Sequence, residues 1–472
     1  VNAHLLVLLV YSFALGALGL AIGRRVSTSS QFFVSGRTLG PGLLCATVLA
    51  ANIGAGSTVG AASLGYRDGA AAWWWVGSAG IGTLLLAFWI GPRIWRVARD
   101  QDLYTVGDYL DWRYGPAVRA VTTSLLWVAT LTILAAQLVA VAFILEVVAG
   151  IPRAVGCVLG GALMTVYFTA GGLLTSAWIN LVQLVVLVIG FSLALPWAIG
   201  GAGGLSAALQ AVPGHADYLD PWRGGGSGWN YVALLVPAFI VSPGLLQKIY
   251  GARDAATVRR GVGWSGVALL AFAPLPALLG MLAHAHDPTL TGGEINLALP
   301  IVLTQGLPLL LGGLGLAAVF SAEVSSADAI LFMLSTSLSE DLYRRFLRPD
   351  APDRQVLAVA RIGSVAGGLL GTGLAILVGS VIESMTIFYS LLGVSLFVPI
   401  VAGLHTERPG ASAALAAIAA GVIGYLGARF DLLGQPLAAA HPNLVGLLLS
   451  AAAYAAFAAY NAGQQPSAPE AR

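Results

Sequence analysis

The chain has 472 residues, of which 58% are apolar and only 9% charged, with 60 glycines and a formal net charge of +2. An average soluble domain carries about 25% charged residues, so a water-soluble globule is excluded, and a net charge this small gives no footing for nucleic acid. The composition predicts an all-α polytopic membrane protein.

The two cysteines, Cys45 and Cys157, lie inside apolar runs and read as buried thiols. The six histidines are scattered, so no metal-ligand cluster is expected. No nucleophile elbow or phosphate loop is visible, and no enzymatic activity is expected.

Thirteen apolar segments approach the roughly 20 residues that span a bilayer. They lie at about 3–22, 39–64, 70–97, 116–148, 152–170, 175–200, 228–250, 258–284, 299–338, 355–379, 382–404, 409–428 and 443–462. The first ends in Arg24-Arg25 and reads as a retained helix rather than a cleaved signal. The second is interrupted by Gly54-Ala55-Gly56, and the seventh by Ser242-Pro243-Gly244 at matching depth. Glycine and proline both weaken helix interiors. Five segments separate the start of one broken helix from the start of the other. Five is odd, so two blocks of five run in opposite senses across the bilayer, the pattern of an inverted-repeat transporter. The ninth segment, 299–338, exceeds one span and must tilt, bend or protrude.

Basic residues test the count. With the N-terminus outside, nineteen of the 23 Lys and Arg fall on the cytoplasmic side, Lys248 among them. Only Arg67, Arg153, Arg223 and Arg429 fall outside. That bias follows the positive-inside rule, and no Arg or Lys then lies at mid-membrane.

Polar groups at bilayer depth are costly and mark ion or solute paths. Ala322, Ser325 and Ser326 share one helix face by their i, i+3, i+4 spacing. If the second segment opens at Gly54-Ala55-Gly56, the carbonyls of Ala50 and Ile53 lose their amide partners. Those two carbonyls, the Ala322 carbonyl and the hydroxyls of Ser325 and Ser326 make five neutral hard oxygens, a set suited to Na+; the alternative for the two hydroxyls is a bond back to the carbonyl four residues earlier or a helix–helix contact. Such a neutral cage binds weakly and reversibly, as a cycling carrier requires.

Further motifs carry a family resemblance. They are Ser35-Gly36-Arg37-Thr38-Leu39, Ala50-Ala51-Asn52-Ile53, Tyr104-Thr105-Val106-Gly107-Asp108-Tyr109-Leu110, and Gly171-Gly172-Leu173 through Gln183. Gln247-Lys248 and Ser325-Ser326-Ala327-Asp328 through Glu340-Asp341-Leu342-Tyr343-Arg344 complete the set. In order and spacing, from about residue 31 to 404, the chain resembles the sodium/solute symporter family. The resemblance implies a five-plus-five inverted repeat of the leucine-transporter type, with sodium at Ala50, Ile53, Ala322, Ser325 and Ser326.

Two departures stand out. The family usually has Thr-Asp where Ile179-Asn180 stand, and that aspartate is associated with a second sodium site or the exit path. Asn180 keeps an oxygen but loses the charge, and Asp328, on the face of Ser325, is placed to supply it. Glu323 stands where the family tends to be apolar. It borders the cation site, faces the solute, or titrates in a watered path. Asn180, Asp328 and Glu323 are therefore candidates for a second cation or coupling site.

Candidate solute contacts cluster at the breaks: Asn52, Gly56, Ser57, Trp73, Trp74, Trp75, Gln137 and Ser242. The three tryptophans serve either as an interfacial belt or as an aromatic wall. Gln137, at mid-span, serves either as bundle glue or as a solute contact. Sugar-transporting relatives place Gln or Glu where Ser57 and Val76 stand, which argues against a sugar.

The expected function is sodium-coupled symport, importing a small polar organic solute by alternating access, with Na+ as co-transported ion and no organic cofactor. The alternatives are a proton-coupled carrier using Glu323 or Asp328, and a transporter-like membrane sensor. The expected organisation is an extra helix and loop (1–38), a first repeat (39–200), an external loop (201–227), a second repeat (228–404) and two further helices with a tail (405–472). The expected location is the plasma (inner) membrane, with the N-terminus outside and the C-terminus cytoplasmic.

Overall fold

The computed structural model describes residues 3–23, 37–169, 172–204, 206, 210, 212, 215–222, 228–406, 410–434 and 441–464. Apart from one isolated bridge between Leu39 and Ala252, the regular structure of the described residues is helical. Ten helical stretches among them are long and apolar enough to cross a membrane, and shorter apolar helices accompany these.

The first helix, α1, is Ala3–Gly23. Next comes α2 (Pro41–Asn52), where Pro41 occupies the first turn and so loses no hydrogen bond. The chain leaves helical geometry at Ile53 (φ −103°, ψ 101°) and restarts as a π-helical turn, Gly56–Gly60, that runs into α3 (Ala61–Asp68). The expected break in the second segment is thus present, one residue earlier than the glycines suggested.

Helical hydrogen bonding continues through Gly56–Asp100, a run of 45 residues. A straight helix of that length would extend about 68 Å, more than twice the roughly 30 Å hydrocarbon core. Gly69 resolves this with φ +65°, a left-handed turn that glycine adopts without strain. It separates α3 from α4 (Trp73–Leu85), which a π-helical turn joins to α5 (Gly91–Asp100).

α6 (Val106–Tyr114) opens with a capping box, Thr105 and Asp108 each bonding the other's backbone amide. Then follow α7 (Pro116–Ala149), α8 (Arg153–Thr169) and α9 (Gly172–Gly201). The seventh expected segment is also broken. α10 (Gly228–Val241) stops at Ser242 (φ −56°, ψ 119°), and α11 (Pro243–Tyr250) restarts with proline in its first turn.

α12 (Ala255–Phe272) and α13 (Pro274–Leu282) follow. The expectation of one segment over 299–338 is corrected. α14 (Ala298–Gln305) ends at Gly306, and a fresh helix, α15 (Leu309–Thr336), starts after Pro308. Proline cannot donate into the preceding turn and disfavours helical geometry in the residue before it. α16 (Asp353–Val378), α17 (Val381–His405), α18 (Ala411–Arg429) and α19 (Pro442–Gln464) complete the chain.

α15 is the central rod: every residue from Gly315 to Thr336 is buried. It packs on α1, α2, α7, α9, α14 and α16. The two short half-helices α2 and α11 lie side by side, with their loop ends stitched together. Leu39 N donates to Gly251 O at 3.0 Å, and Arg253 N to Leu39 O at 3.2 Å. Arg37 locks the joint by donating to the carbonyls of Tyr250, Ala98 and Leu103.

Candidate cation and solute site

The break between α2 and the Gly56 turn faces the middle of α15. Ser325 Oγ lies 3.1 Å from Ala50 O and 3.0 Å from Ala322 O, and Ser326 Oγ lies 3.2 Å from Ala50 O and 3.1 Å from Ile53 O. The five oxygens singled out in the sequence therefore converge. Each hydroxyl has one hydrogen but two carbonyl neighbours, so two of the four contacts have no proton between the oxygens. The amide of Ser57 bonds Gly54 O instead of Ile53 O, as an opened helix requires. A hard cation held at 2.3–2.6 Å gives ligand–ligand edges of about 3.3–3.7 Å in an octahedral arrangement. The cage would expand by a few tenths of an ångström to take one.

Why does the backbone stay open here? Gln137, on α7, accepts a hydrogen bond from the Ala55 amide through Oε1 at 2.8 Å. Ser57 Oγ donates to Asn52 O at 2.6 Å, closing the loop over the break. A Cβ on Gly54 would overlap Ser326 and Gln137. Of the two roles open to Gln137, the structure gives it a backbone-holding contact.

Glu323 is fully buried, and its Oε1 lies 2.7 Å from Thr58 Oγ1, which also bonds Gly54 O at 2.9 Å. Its Oε2 has no partner among the described residues. Thr58 was absent from the residues singled out in the sequence. Its signal was its place one turn beyond the glycines, facing a buried acid that had no assigned partner. Asp328 is buried one turn beyond Ser325. The Asn180 side chain lies outside the described residues, as do Ser35, Gly36 and Gly171.

The three tryptophans diverge. Trp74 packs against Trp222, 4.4 Å between ring centroids, and Trp222 against Trp229. Trp73 stacks edge-on to Trp74 and covers Gly77. Trp75 alone turns to the break, where Gly56 leaves room for its indole and for Met385. Tyr231 and Tyr389 stand edge-on to Trp75 at 5.5 and 6.4 Å, and Phe239 lies 5.2 Å from Tyr389. This wall joins α4, α10 and α17. Tyr231, Tyr389 and Met385 were not foreseen, because nothing in their apolar surroundings marks their facing. Asn52 turns to α4, donating to Thr83 Oγ1 at 3.3 Å. Ser242 caps the restart of α11, its carbonyl receiving the amides of Leu245 and Leu246.

Two of the basic residues counted on the cytoplasmic side are buried among the helices. Lys248 is 1% exposed within the bundle, with Nζ 3.5 Å from Thr47 Oγ1. Arg119 is likewise buried, with Asp108 and Asp341 each at 2.7 Å and Asp111 at 3.2 Å. It fastens α6, the start of α7 and the π-helical stretch Ser337–Leu347 that continues α15.

A family model for the sodium:solute symporter family matches residues 32–421. The chain belongs to that family. It is 29% identical to the sodium/pantothenate symporter of Escherichia coli over 90% of this chain and 89% of that protein. It is 23% identical to the sodium/glucose cotransporter of Vibrio parahaemolyticus, over 87% and 81%. Among solved structures, a Na+-coupled sialic acid symporter in a substrate-bound outward-open state superposes with a TM-score of 0.82 at 19% identity. That match covers 97% of this chain and 98% of the other. At such identity the likeness concerns the fold, which is that of a multi-pass, all-helical membrane transporter.

Proposed function

We propose that the chain is a sodium-coupled symporter that imports a small polar organic solute. The observation that carries this is the convergence of Ala50, Ile53, Ala322, Ser325 and Ser326 oxygens at a helix break, with fewer protons than contacts. Na+ is cargo here: it fills the cage from outside and ties the opened second segment to α15. That fixes the solute cavity between the two breaks.

We place the solute against Trp75, Gly56, Ser57, Asn52 and Ser242, with Tyr231 and Tyr389 as the far wall. The aromatic faces and neutral amides favour a zwitterion, a short carboxylate or a quaternary amine over a sugar. We read thirteen crossings, counting α2–α3, α4–α5, α10–α11 and α12–α13 once each and leaving out the short helices α6 and α14, in a five-plus-five inverted repeat over 39–200 and 228–404. The basic-residue bias supports an external N-terminus and a cytoplasmic C-terminus in the plasma membrane.

The energetics suffice. One charge crossing about 100 mV yields about 2.3 kcal/mol, and a tenfold sodium gradient adds about 1.4 kcal/mol. Together they sustain a solute gradient of several hundredfold. Coupling requires that sodium bind one conformation better than the other.

The test is uptake in proteoliposomes by wild type and by Ser325→Ala with Ser326→Ala. A stabilising solute is first found by a thermal-shift screen with and without sodium. The double variant should need at least tenfold more sodium. Unchanged sodium dependence removes the site, and uptake driven by a pH gradient without sodium favours the proton-coupled alternative.

A further inference from the structure

Lys248 is a fully buried amine that the sodium site described above does not use. Its position relative to that site follows from helix spacing. Thr47 precedes Ala50 by three residues, so its hydroxyl lies on the same face of α2, about 4.5 Å along the axis. Asp328 follows Ser325 by three, on the same face of α15, at a similar step in the same direction, because the second segment runs antiparallel to α15: Ala50 meets Ser325, and Thr58, further along, meets Glu323.

Lys248 comes from the third element, α11, and puts Nζ on Thr47 Oγ1 at 3.5 Å. Asp328 is the buried carboxylate at the matching step of α15, and α11 packs on α15 as well as on α2. Thr47, Lys248 and Asp328 thus form one layer, about one turn from the sodium oxygens. The layer lies toward the face where Leu39, Gly251 and Arg253 stitch α2 to α11. That is the side from which an imported ion must leave.

An ionised carboxylate one turn from a cation deepens its well, and an ammonium there makes it shallower, since neither is screened by water at this depth. We propose that Lys248 is a tethered counter-cation of the sodium site. It offsets Asp328, so that sodium is held by neutral oxygens alone and is let go on the inner side. The inference rests on the sodium reading above. Lys248 is a positioning residue for charge rather than a sodium ligand.

The test is equilibrium binding of 22Na+ to purified protein, which needs no identified solute. Lys248→Gln should lower the half-saturating sodium concentration at least fivefold, and Lys248→Arg should stay within twofold of wild type. Asp328→Asn should raise it at least fivefold. The Lys248→Gln/Asp328→Asn pair should return to within twofold, a cancellation that a merely structural role would not produce.

A Lys248→Gln protein with unchanged or weaker sodium binding, or a double variant that follows either single, overturns the proposal. If Lys248→Gln does not yield folded protein, Asp328→Asn decides alone, and an unaltered sodium isotherm overturns the proposal. Failure of every substitution at both positions to fold also counts against it, because a pair placed to tune affinity tolerates exchange. Wild type that binds no 22Na+, or a Ser325→Ala/Ser326→Ala protein that binds it normally, would instead sink the sodium reading itself.

Discussion

Replacing Gln137 by leucine tests whether the opened backbone, rather than the serines alone, makes the cation cage. Gln137 is 1% exposed and Ala55 is fully buried, so no water can replace the 2.8 Å bond from the Ala55 amide. Leaving a buried amide unpaired costs about 1–3 kcal/mol. That penalty falls on the open form, which presents the Ala50 and Ile53 carbonyls. With a resealed helix as the competitor, the binding-competent fraction falls, and apparent sodium affinity falls with it, by up to about five- to 150-fold.

Gln137→Glu keeps an acceptor for the Ala55 amide and so should preserve binding, with the added charge near the cation strengthening it. The assay is a 22Na+ binding isotherm with a parallel melting curve for each variant. Gln137→Leu that binds sodium within twofold of wild type and melts at the same temperature would refute the reasoning. So would a Gln137→Glu protein that loses binding as Gln137→Leu does.

Other outcomes follow from the same contacts. Gly54→Ala places a methyl against Ser326 and Gln137. It should cost about 1–3 kcal/mol of overpacking at the site and abolish high-affinity sodium binding in folded protein; an unaltered isotherm refutes it. Trp75→Ala should weaken solute binding at least tenfold, while Trp74→Ala should leave it within threefold and alter only stability. The reverse ranking, read by thermal shift with the identified solute, would move the solute to the outer tryptophans. Arg119→Ala leaves Asp108 and Asp341 without a guanidinium, while Asp111 keeps that of Arg345. Breaking such a buried cluster costs about 3–5 kcal/mol, so yield and melting temperature should fall; an unchanged melting curve would show the cluster idle.

The breaks were legible in the sequence because they are local. Gly54-Ala55-Gly56 and Ser242-Pro243-Gly244 disfavour helix whatever surrounds them, and the structure interrupts both segments within a residue or two of these motifs. Ser325 and Ser326 were legible for a similar reason. Hydroxyls at i+3 and i+4 from Ala322 share a face by helix geometry alone, and opened carbonyls in an apolar bundle need partners. The division at Gly306–Pro308 shows the limit: length flagged the segment as too long for one span, but the turn itself was not placed.

What only the tertiary structure decided is the rotation of each helix about its axis. In a bundle that meets lipid on one side and other helices on the other, both faces are apolar, so hydrophobic periodicity carries almost no phase. Three consecutive tryptophans project in different directions, and packing alone selected Trp75 for the break. The same ambiguity hid Tyr389 on α17, the Glu323–Thr58 contact, and the turn of Gln137 toward a backbone amide 82 residues earlier. Charge counting assigned Lys248 to the cytoplasmic side but not to the interior of the bundle, because it registers which end of a helix a residue is near and not which way it points. A long amine reaching back along α11 to Thr47 is a fact of three helices meeting, and no single stretch of the chain contains it.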